Sequence, residues 1–338
     1  MYGNREPESR EQELTMAVGV ETDALRERFR GALLGTMVGD ALGMPVEGMS
    51  SSVIRARFDL VTEMLPARLG RGTYTDDTQM MIGLAEALLD TPGRLDVDRA
   101  AARFGENYDP ERGYGGNARK ILSTIREGVP WQDAVKAHSL PGGSYANGAA
   151  MRVAPVSLAF YRDAKAAVQA AADQAEITGH THPTGRIGAC LQALAIRWAI
   201  MRGSQRADFK PLSFLTNLKL SRPRELVDAL GWIAQNLAAS PDEAEHHLGT
   251  SGKASCSVPA ALWSVLSSPQ DPETAIIRAV NLGGDTDTIG AMAGAVAGAY
   301  HGAEALPQRW TRALEEGDKG KAYVIELADR LLELATTE

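Results

Sequence analysis

Cysteine is scarce in this sequence of 338 residues, and there is no excess of basic charge. The two cysteines, Cys190 and Cys256, lie far apart without a C-x-x-C spacing, which favours two buried thiols in a reducing compartment over a disulfide framework or a zinc site. Lys and Arg together number 35 against 43 for Asp and Glu, a net charge of -8. This balance argues against binding to duplex nucleic acid or an anionic membrane but allows a local phosphate site.

Long hydrophobic runs are also missing. The most apolar stretch, from Ile289 to Tyr300, is too short to span a bilayer and is rich in Gly and Ala, which would let a buried helix approach its neighbours closely. The N-terminal sequence carries charges of both signs and lacks the apolar core of a signal peptide. We therefore expect no membrane partner and a cytoplasmic protein.

Helical periodicity, by contrast, runs along almost the whole chain. Hydrophobic residues make up 44% of it, and their spacing predicts helices with few convincing strands. No long linker or low-complexity tract divides the sequence, so we predict an all-α fold with a flexible tail over residues 1–21 and one domain over residues 22–338. The predicted helices cover residues 24–38, 78–90, 97–108, 117–127, 166–178, 187–201, 224–238, 272–281, 287–300 and 321–335.

Two acidic clusters stand where apolar helical patterns begin. The first, in TYTDDTQM, holds Asp76 and Asp77; the second, in NLGGDTDTIGAMAG, holds Asp285 and Asp287, with Thr288 next to them. An Asp at a helix N-terminus is ordinarily a cap that accepts backbone N–H groups. Capping explains one carboxylate in such a turn more easily than two.

Four carboxylates that converge would repel one another unless cations lay among them. Oxygen ligands favour hard cations, so convergence of the clusters would predict Mg²⁺ or Mn²⁺ rather than zinc, and a two-metal site of this kind can activate water. The alternative stays open that each cluster is an N-cap with a spare surface carboxylate. The second cluster is not an EF-hand, because the D-x-D-x-D-G loop and its terminal Glu are missing.

A third acidic motif, GTMVGDALGMPVEG, carries Asp40 and Glu47 in a Gly-rich run. A turn before Pro45 would aim Glu47 inward, where it is a candidate for general acid/base work or for an outer contact to a metal. The other interpretation is that Glu47 merely ends a helix on the surface.

Two Gly-rich loops offer groups that a phosphate needs. GYGGNARKIL places Gly115 and Gly116 at the start of a predicted helix, where free N–H groups attract an anion. PGGSYANGAAMR supplies Ser144 and Asn147, with Tyr145 as a flat face for a base or sugar. Each loop alone is weak evidence, because most Gly-rich loops are plain turns. Neither a P-loop nor a Rossmann motif is present.

These motifs, together with GHTHPTGRIGACLQALAI, occur in the order expected of the ADP-ribosylglycohydrolase family, which the chain resembles over residues 28–306. The resemblance implies a compact orthogonal helical bundle with a binuclear metal cleft that holds two Mg²⁺ ions, with Mn²⁺ as the alternative. It implies that Glu47 gates or assists the second metal. The metal ligands that it implies are Thr75, Asp76, Asp77, Asp285, Asp287 and Thr288.

The resemblance also implies a substrate, the ADP-ribosyl group of modified proteins or of poly(ADP-ribose). Its diphosphate would contact Gly115 and Gly116 and the loop from Ser144 to Asn147, which includes Tyr145. The family has a His near the adenosine side, and His180 and His182 are both candidates for it.

The reaction implied is hydrolytic release of ADP-ribose, with Glu47, Asp77 and Asp287 as catalytic residues. The motifs DPERGYGG and AGAVAGAYHG are similar to those of enzymes that cleave O-linked ADP-ribose from serine, poly(ADP-ribose) or O-acetyl-ADP-ribose. Cleavage of N-linked ADP-ribosyl-arginine stays open. So do a metal-dependent phosphohydrolase, a non-catalytic ADP-ribose-binding or crystallin-like member, and a calcium-stabilised scaffold.

Overall fold

Helices form the regular structure of this chain. The computed structural model describes the backbone of residues 7–204 and 223–337 and the side chains of residues 22–203 and 223–337; within these ranges it has seventeen α-helices and no β-strand, which confirms the all-α prediction. The helices are α1 (Pro7–Gly43), α2 (Ser51–Phe58), α3 (Asp76–Asp90), α4 (Val97–Asn107), α5 (Gly116–Arg126), α6 (Trp131–His138), α7 (Gly148–Met151), α8 (Ala154–Ala159), α9 (Ala164–Glu176), α10 (Pro183–Ser204), α11 (Arg224–Gln235), α12 (Pro241–Leu248), α13 (Ala254–Leu266), α14 (Pro272–Asn281), α15 (Thr286–His301), α16 (Gln308–Ala313) and α17 (Lys321–Thr336).

Each of the ten predicted helices coincides with an observed one, and nine of them agree within a few residues at the ends; the helix predicted over residues 24–38 lies inside the much longer α1. Seven of the seventeen described helices were not predicted: α2, α6, α7, α8, α12, α13 and α16. Six of these have only four to eight residues, too few for a clear periodic pattern. The seventh, α13, is almost entirely buried, so it shows a continuous apolar run instead of a periodic stripe, and it also contains Pro259. Helix α1 begins at Pro7, inside the segment predicted to be a flexible tail. Residues 1–6 lie outside the described part of the chain, and the boundary at residue 22 stays a prediction.

Helices α1 and α15 run antiparallel with their backbones in contact. A Cβ atom added to Gly35 would lie 2.0 Å from the carbonyl oxygen of Gly294, and one added to Gly39 would lie 1.9 Å from that of Gly290. The predicted close approach of the Gly- and Ala-rich helix is therefore confirmed, and no larger residue fits at these crossings. The pairing sets the C-terminal end of α1 beside the first turn of α15.

A large apolar core supports these helices. Trp263 and Trp310 are fully buried, and their indole N–H groups donate to the carbonyl oxygens of Asn236 and Thr62 at 3.1 and 2.8 Å. Cys190 is buried and Cys256 half-buried, both as free thiols. No helix among the described residues is long and apolar enough to cross a membrane.

Candidate active site

The first turn of α3 is capped by a carboxylate from another helix. The carboxylate of Asp40, in α1, accepts hydrogen bonds from the backbone N–H of Thr75, from the backbone N–H of Thr78 at 3.0 Å and from the Thr78 hydroxyl at 2.6 Å. Thr75 itself stands at the N-cap position, and its side chain caps none of the helix amides in the described structure. Asp40 thus takes over the capping role, and the carboxylates of Asp76 and Asp77 are free to face the cleft.

The structure brings the two acidic clusters together. Asp77 Oδ2 accepts hydrogen bonds from the hydroxyl of Thr75 at 3.2 Å and from the hydroxyl of Thr288, in the first turn of α15, at 3.3 Å. Asp77 Oδ1 is buried and has no hydrogen-bond partner among the described residues. Asp76, Asp77, Asp285, Asp287 and Thr288 all line one cleft.

Glu47 joins this cluster from the loop that follows α1. Carboxylate oxygens of Glu47, Asp285 and Asp287 lie within 4.8 Å of one another, although Glu47 as a residue is exposed. Backbone hydrogen bonds of 2.8 Å tie the Glu47 loop to the Asp285 loop, from Gly48 N to the Gly284 oxygen and from Gly284 N to the Met49 oxygen. Glu47 therefore faces the cluster and does not end a helix on a remote surface.

A bound cation would stabilise the charged forms of the carboxylates in this cluster. Burial, followed by the nearby charges of Asp40 and Asp285, raises the pKa of Asp76 to about 8. Burial and neighbouring carboxylates also raise the pKa values of Asp77 and Asp287 well above the usual range. Without a counter-charge, so many carboxylates at one point would take up protons. A divalent cation among them would restore their charged forms.

The donor set fits a hard divalent ion. All groups at this end of the cleft offer oxygen, and the partnerless Asp77 Oδ1 supplies a buried acceptor for which a cation is a natural partner. Glu47, Asp285 and Asp287 have the spacing of metal ligands, and the fuller ligand set stays a prediction. The predicted set consists of the carboxylates of Asp76, Asp77, Asp285 and Asp287 and the hydroxyls of Thr75 and Thr288, and all of these except Thr75 line the cleft.

The cleft extends from the acidic cluster as a cavity of about 360 Å³, which is in the range of small-molecule sites. Of the two candidate histidines, His180 lines it. His182 lies outside the lining, edge-on to Tyr145 with ring centroids 6.1 Å apart, and its Nδ1 accepts from the backbone N–H of Thr184 at 3.1 Å. The predicted residues that line the cleft away from the acidic cluster are Gly115, Gly116, Ser144, Tyr145, Asn147 and His180.

Asn147 connects the Ser144–Asn147 loop to the acidic cluster. Its side-chain amide donates to Asp285 Oδ2 at 2.5 Å and to the Ser257 hydroxyl at 3.0 Å. Tyr145, in the same loop, is 50% exposed and presents its ring at the rim of the cleft. The loop is therefore held at the end that faces the acidic cluster and open at its outer end.

On the opposite wall, the N-terminus of α5 borders the cleft. Gly115 is its N-cap and Gly116 its first residue, and no described atom lies within 4 Å of a Cβ placed on either. The space in front of this helix end can admit a ligand, and the positive end of its dipole suits an anion.

The comparisons with known proteins agree with this geometry. The ADP-ribosylglycohydrolase family model matches residues 21–338. The chain belongs to the ADP-ribosylglycohydrolase family. It is similar to an uncharacterized protein of Archaeoglobus fulgidus, with 33% identity over 92% of this chain and 97% of that one, and to the ADP-ribosylhydrolase ARH3 of Bos taurus, with 33% identity over 85% and 88% of the two chains.

A solved structure of the same family extends the agreement to the fold. The ADP-ribosylglycohydrolase-related protein complex superimposes with a TM-score of 0.73 and 30% identity over 93% of this chain and 100% of that one. The resemblance seen in the sequence is thus confirmed. As a member of this family, the chain is a hydrolase that acts on glycosides of ADP-ribose.

Two residues of this ADP-ribosylglycohydrolase site, Asp40 and Arg152, had no role predicted from the sequence. Asp40 accepts a hydrogen bond from Thr75, which lies 35 positions later in the sequence. The Gly-rich run around Asp40 does not indicate this contact. Arg152 is completely buried at the end of the Gly-rich loop motif and lines the cleft. A buried arginine leaves no pattern in a single sequence, because Arg at most positions lies on the surface.

Proposed function

We propose that this chain is a Mg²⁺-dependent hydrolase that releases ADP-ribose from O-linked conjugates, such as serine-ADP-ribose, poly(ADP-ribose) or O-acetyl-ADP-ribose. The observation that carries the proposal is the meeting of both acidic clusters and Glu47 at one end of a cleft that is bordered elsewhere by a helix N-terminus and Tyr145. The O-linkage is supported by the motifs DPERGYGG and AGAVAGAYHG and by the similarity to proteins named ADP-ribosylhydrolase ARH3.

Two Mg²⁺ ions, with Mn²⁺ as the alternative, would be held by the four aspartates and by Thr75 and Thr288. When bound, such ions supply an activated water and fix the hydroxyls of the ribose next to the scissile bond. Asp77 is held for this role by two hydroxyl donors, and Asp285 by the amide of Asn147. These contacts orient the carboxylates before any ligand arrives.

The other side chains of the cleft bind and orient the ADP-ribosyl group. The first turn of α5 offers N–H groups to the diphosphate, and the exposed ring of Tyr145 offers a stacking face to the base. The reacting ribose then lies at the acidic end, where Glu47 faces Asp285 and Asp287.

In the reaction, the bond between C1″ of the ribose and the acceptor oxygen breaks, and a water oxygen takes its place on C1″. Glu47 is placed to accept the proton of that water and to pass it to the leaving oxygen. Loss of water around its carboxylate, and then the charge of Asp285, raise the pKa of Glu47, which strengthens it as a base. Asp77 and Asp287 contribute to catalysis indirectly, because by holding the ions they position the ribose and the attacking water.

The test uses two peptides of matched sequence, one with serine-linked and one with arginine-linked ADP-ribose. Each is incubated with Mg²⁺ or with EDTA, and free ADP-ribose is followed. Release from the serine peptide that requires Mg²⁺ is the expected result. Release from the arginine peptide alone would replace the proposal with the N-glycosidic activity.

Two further outcomes would also count against the proposal. Binding of ADP-ribose without cleavage of either peptide, poly(ADP-ribose) or O-acetyl-ADP-ribose would favour a non-catalytic member. Release of AMP or phosphate from ADP-ribose would indicate a phosphohydrolase. Where the assay is repeated with Asp77→Asn or Asp287→Asn, Asp242→Asn is a suitable control. Asp242 is an exposed acidic residue in the first turn of α12, outside the cleft.

A further inference from the structure

Arg152 is a buried cation that donates its hydrogen bonds to neutral groups, while burial lowers its pKa against the nearby charge of Asp76, which raises it. Its side chain is 0% exposed, and its guanidinium lies over the ring of Phe104 at 4.8 Å. The hydrogen bonds that the described residues provide for it end on uncharged atoms: Gln174 Oε1 at 2.6 Å, the Gln174 carbonyl at 2.8 Å, the hydroxyl of Thr178 at 2.9 Å and Met80 Sδ at 3.5 Å. Burying a charge in this way is costly, which suggests that the guanidinium serves the adjacent cleft.

The Thr178 hydroxyl lies between Arg152 and His180. Its oxygen is 2.9 Å from Arg152 Nη2 and 2.9 Å from His180 Nδ1. Arginine has hydrogen-bond donors and no acceptor, so this hydroxyl must accept from Arg152. A hydroxyl oxygen can accept two hydrogen bonds, but if it also accepted from His180 Nδ1, its own hydrogen would have no acceptor in these two contacts. Donation of that hydrogen to Nδ1 satisfies all three groups. A nitrogen that accepts this hydrogen carries no proton of its own.

We propose that Arg152 and Thr178 are positioning residues that hold His180 as the neutral tautomer with its proton on Nε2, so that His180 donates a hydrogen bond to an oxygen of the ligand. The inference deepens the proposed function and rests on it only for the identity of the ligand, an ADP-ribosyl group. The tautomer assignment itself rests on the contacts among the three side chains.

The surroundings of His180 support a neutral ring, and they bring its Nε2 edge close to the cleft wall at Gly148. Burial, followed by the charge of Arg152, lowers the pKa of His180 to about 3, against a backbone contact to Thr178 that favours the charged form. A Cβ atom at position 148 would lie 2.9 Å from Nε2, so Gly148 leaves this edge of the ring close to the backbone of the cleft wall. A fixed donor here selects oxygen acceptors, such as phosphate or hydroxyl groups, over ligand N–H groups.

The first test determines the tautomer by nitrogen NMR on protein that carries ¹⁵N-labelled histidine. The chain has six histidines, and the His180 signals are identified by their loss in His180→Asn. At neutral pH we expect a protonated Nε2 and an unprotonated Nδ1, and a shift toward a mixture of tautomers in Thr178→Val. A proton on Nδ1 in the wild type, a doubly protonated ring, or an unchanged tautomer in Thr178→Val would overturn the proposal.

The second test measures ADP-ribose affinity by calorimetry with Mg²⁺ present. Loss of the hydroxyl in Thr178→Val should weaken binding roughly three- to tenfold, the effect of one well-placed hydrogen bond, and should raise KM while kcat stays within about twofold. Thr178→Ser keeps the hydroxyl and should restore the affinity. Thr36→Val is the control, because the buried Thr36 hydroxyl donates to the carbonyl of Ala32 in its own helix.

The measurements distinguish a wrong positioning role for Arg152 and Thr178 from a wrong hydrolase function. If Thr178→Val binds ADP-ribose as tightly as the wild type, the positioning role is wrong while the hydrolase activity is unaffected. If the wild type does not bind ADP-ribose at all, the proposed function fails, and the NMR experiment still decides the tautomer. Thermal unfolding of each variant shows whether a lost affinity merely reflects a lost fold.

Discussion

Both carboxylate oxygens of Asp40 accept the backbone N–H of Thr75, at 2.9 and 3.0 Å. This contact crosses from α1 to the start of α3 and replaces the side-chain cap that α3 would otherwise need. Because α1 also packs backbone to backbone against α15, one helix places both acidic clusters. The geometry of the acidic end of the cleft therefore depends on α1.

Removing the Asp40 carboxylate should damage both the fold and metal binding. Asp40→Ala leaves the buried amides of Thr75 and Thr78 without their acceptor, so we expect a loss of about 2–3 kcal/mol in the free energy of unfolding. We also expect weaker Mn²⁺ binding, because Asp76 and Asp77 lose their support. Urea unfolding and Mn²⁺ titration measure the two effects.

Asp163→Ala is the matched control for Asp40→Ala. Asp163 caps α9 by accepting from the amides of Lys165 and Ala166, away from the cleft. Its loss should lower stability and leave the affinity for Mn²⁺ unchanged. Equal effects of the two substitutions on Mn²⁺ binding would show that Asp40 is a cap and nothing more.

The sequence was sufficient for the all-α class, for ten of the seventeen described helices and for the residues of the two acidic clusters, but not for the contacts that assemble the site. Helical periodicity and the Asp-Thr motifs are local, so they can be read along the chain. The bond from Asp40 to Thr75 and the buried Arg152 depend on residues that meet only in the fold. The choice between His180 and His182 was open for the same reason, since a two-residue spacing does not show which ring faces the cleft.

Neutralising one aspartate of each cluster should nearly abolish hydrolysis. Asp77→Asn and Asp287→Asn each remove a charge from the cation site, and we expect turnover to fall roughly 10³-fold or more at saturating Mg²⁺. In EDTA the variants should be at least as stable as the wild type, since each loses a buried like-charge contact. Steady-state kinetics and urea unfolding test both statements. Wild-type turnover in either variant would disprove the metal assignment.

Withdrawing the cation should make stability fall as pH rises. In the folded protein without metal, burial and then Asp40 and Asp285 raise the pKa of Asp76 from 3.8 to about 8, so the folded state holds a proton that the unfolded chain releases between these values. The free energy of unfolding in EDTA should therefore decrease across that window. Saturating Mg²⁺ should flatten the slope. Urea unfolding at several pH values measures it, and a rise with pH in EDTA would contradict the prediction.

The crossing of α1 and α15 should tolerate no added methyl group. In Gly294→Ala the new Cβ would meet the carbonyl oxygen of Gly35 at 2.0 Å, so the helices must separate, and we expect a loss of about 2–3 kcal/mol or more together with weaker Mn²⁺ binding. Gly231→Ala is the control. Gly231 lies in α11 with no described atom within 4 Å of its added Cβ, so this change should raise stability by up to about 1 kcal/mol.

Glu47 should matter for turnover more than for binding. It approaches Asp285 and Asp287 from a separate loop, and as an exposed residue it is the carboxylate of this trio most open to solvent and thus to proton exchange. Glu47→Gln keeps the shape and removes the base, so we expect kcat to fall roughly 10²-fold or more while ADP-ribose affinity changes by less than about threefold. Single-turnover kinetics on the serine-linked peptide, with calorimetry for ADP-ribose and for Mn²⁺, separate these quantities. Equal losses in rate and in ADP-ribose affinity would make Glu47 a binding residue, and a loss confined to Mn²⁺ affinity would make it a metal ligand instead of the proton acceptor.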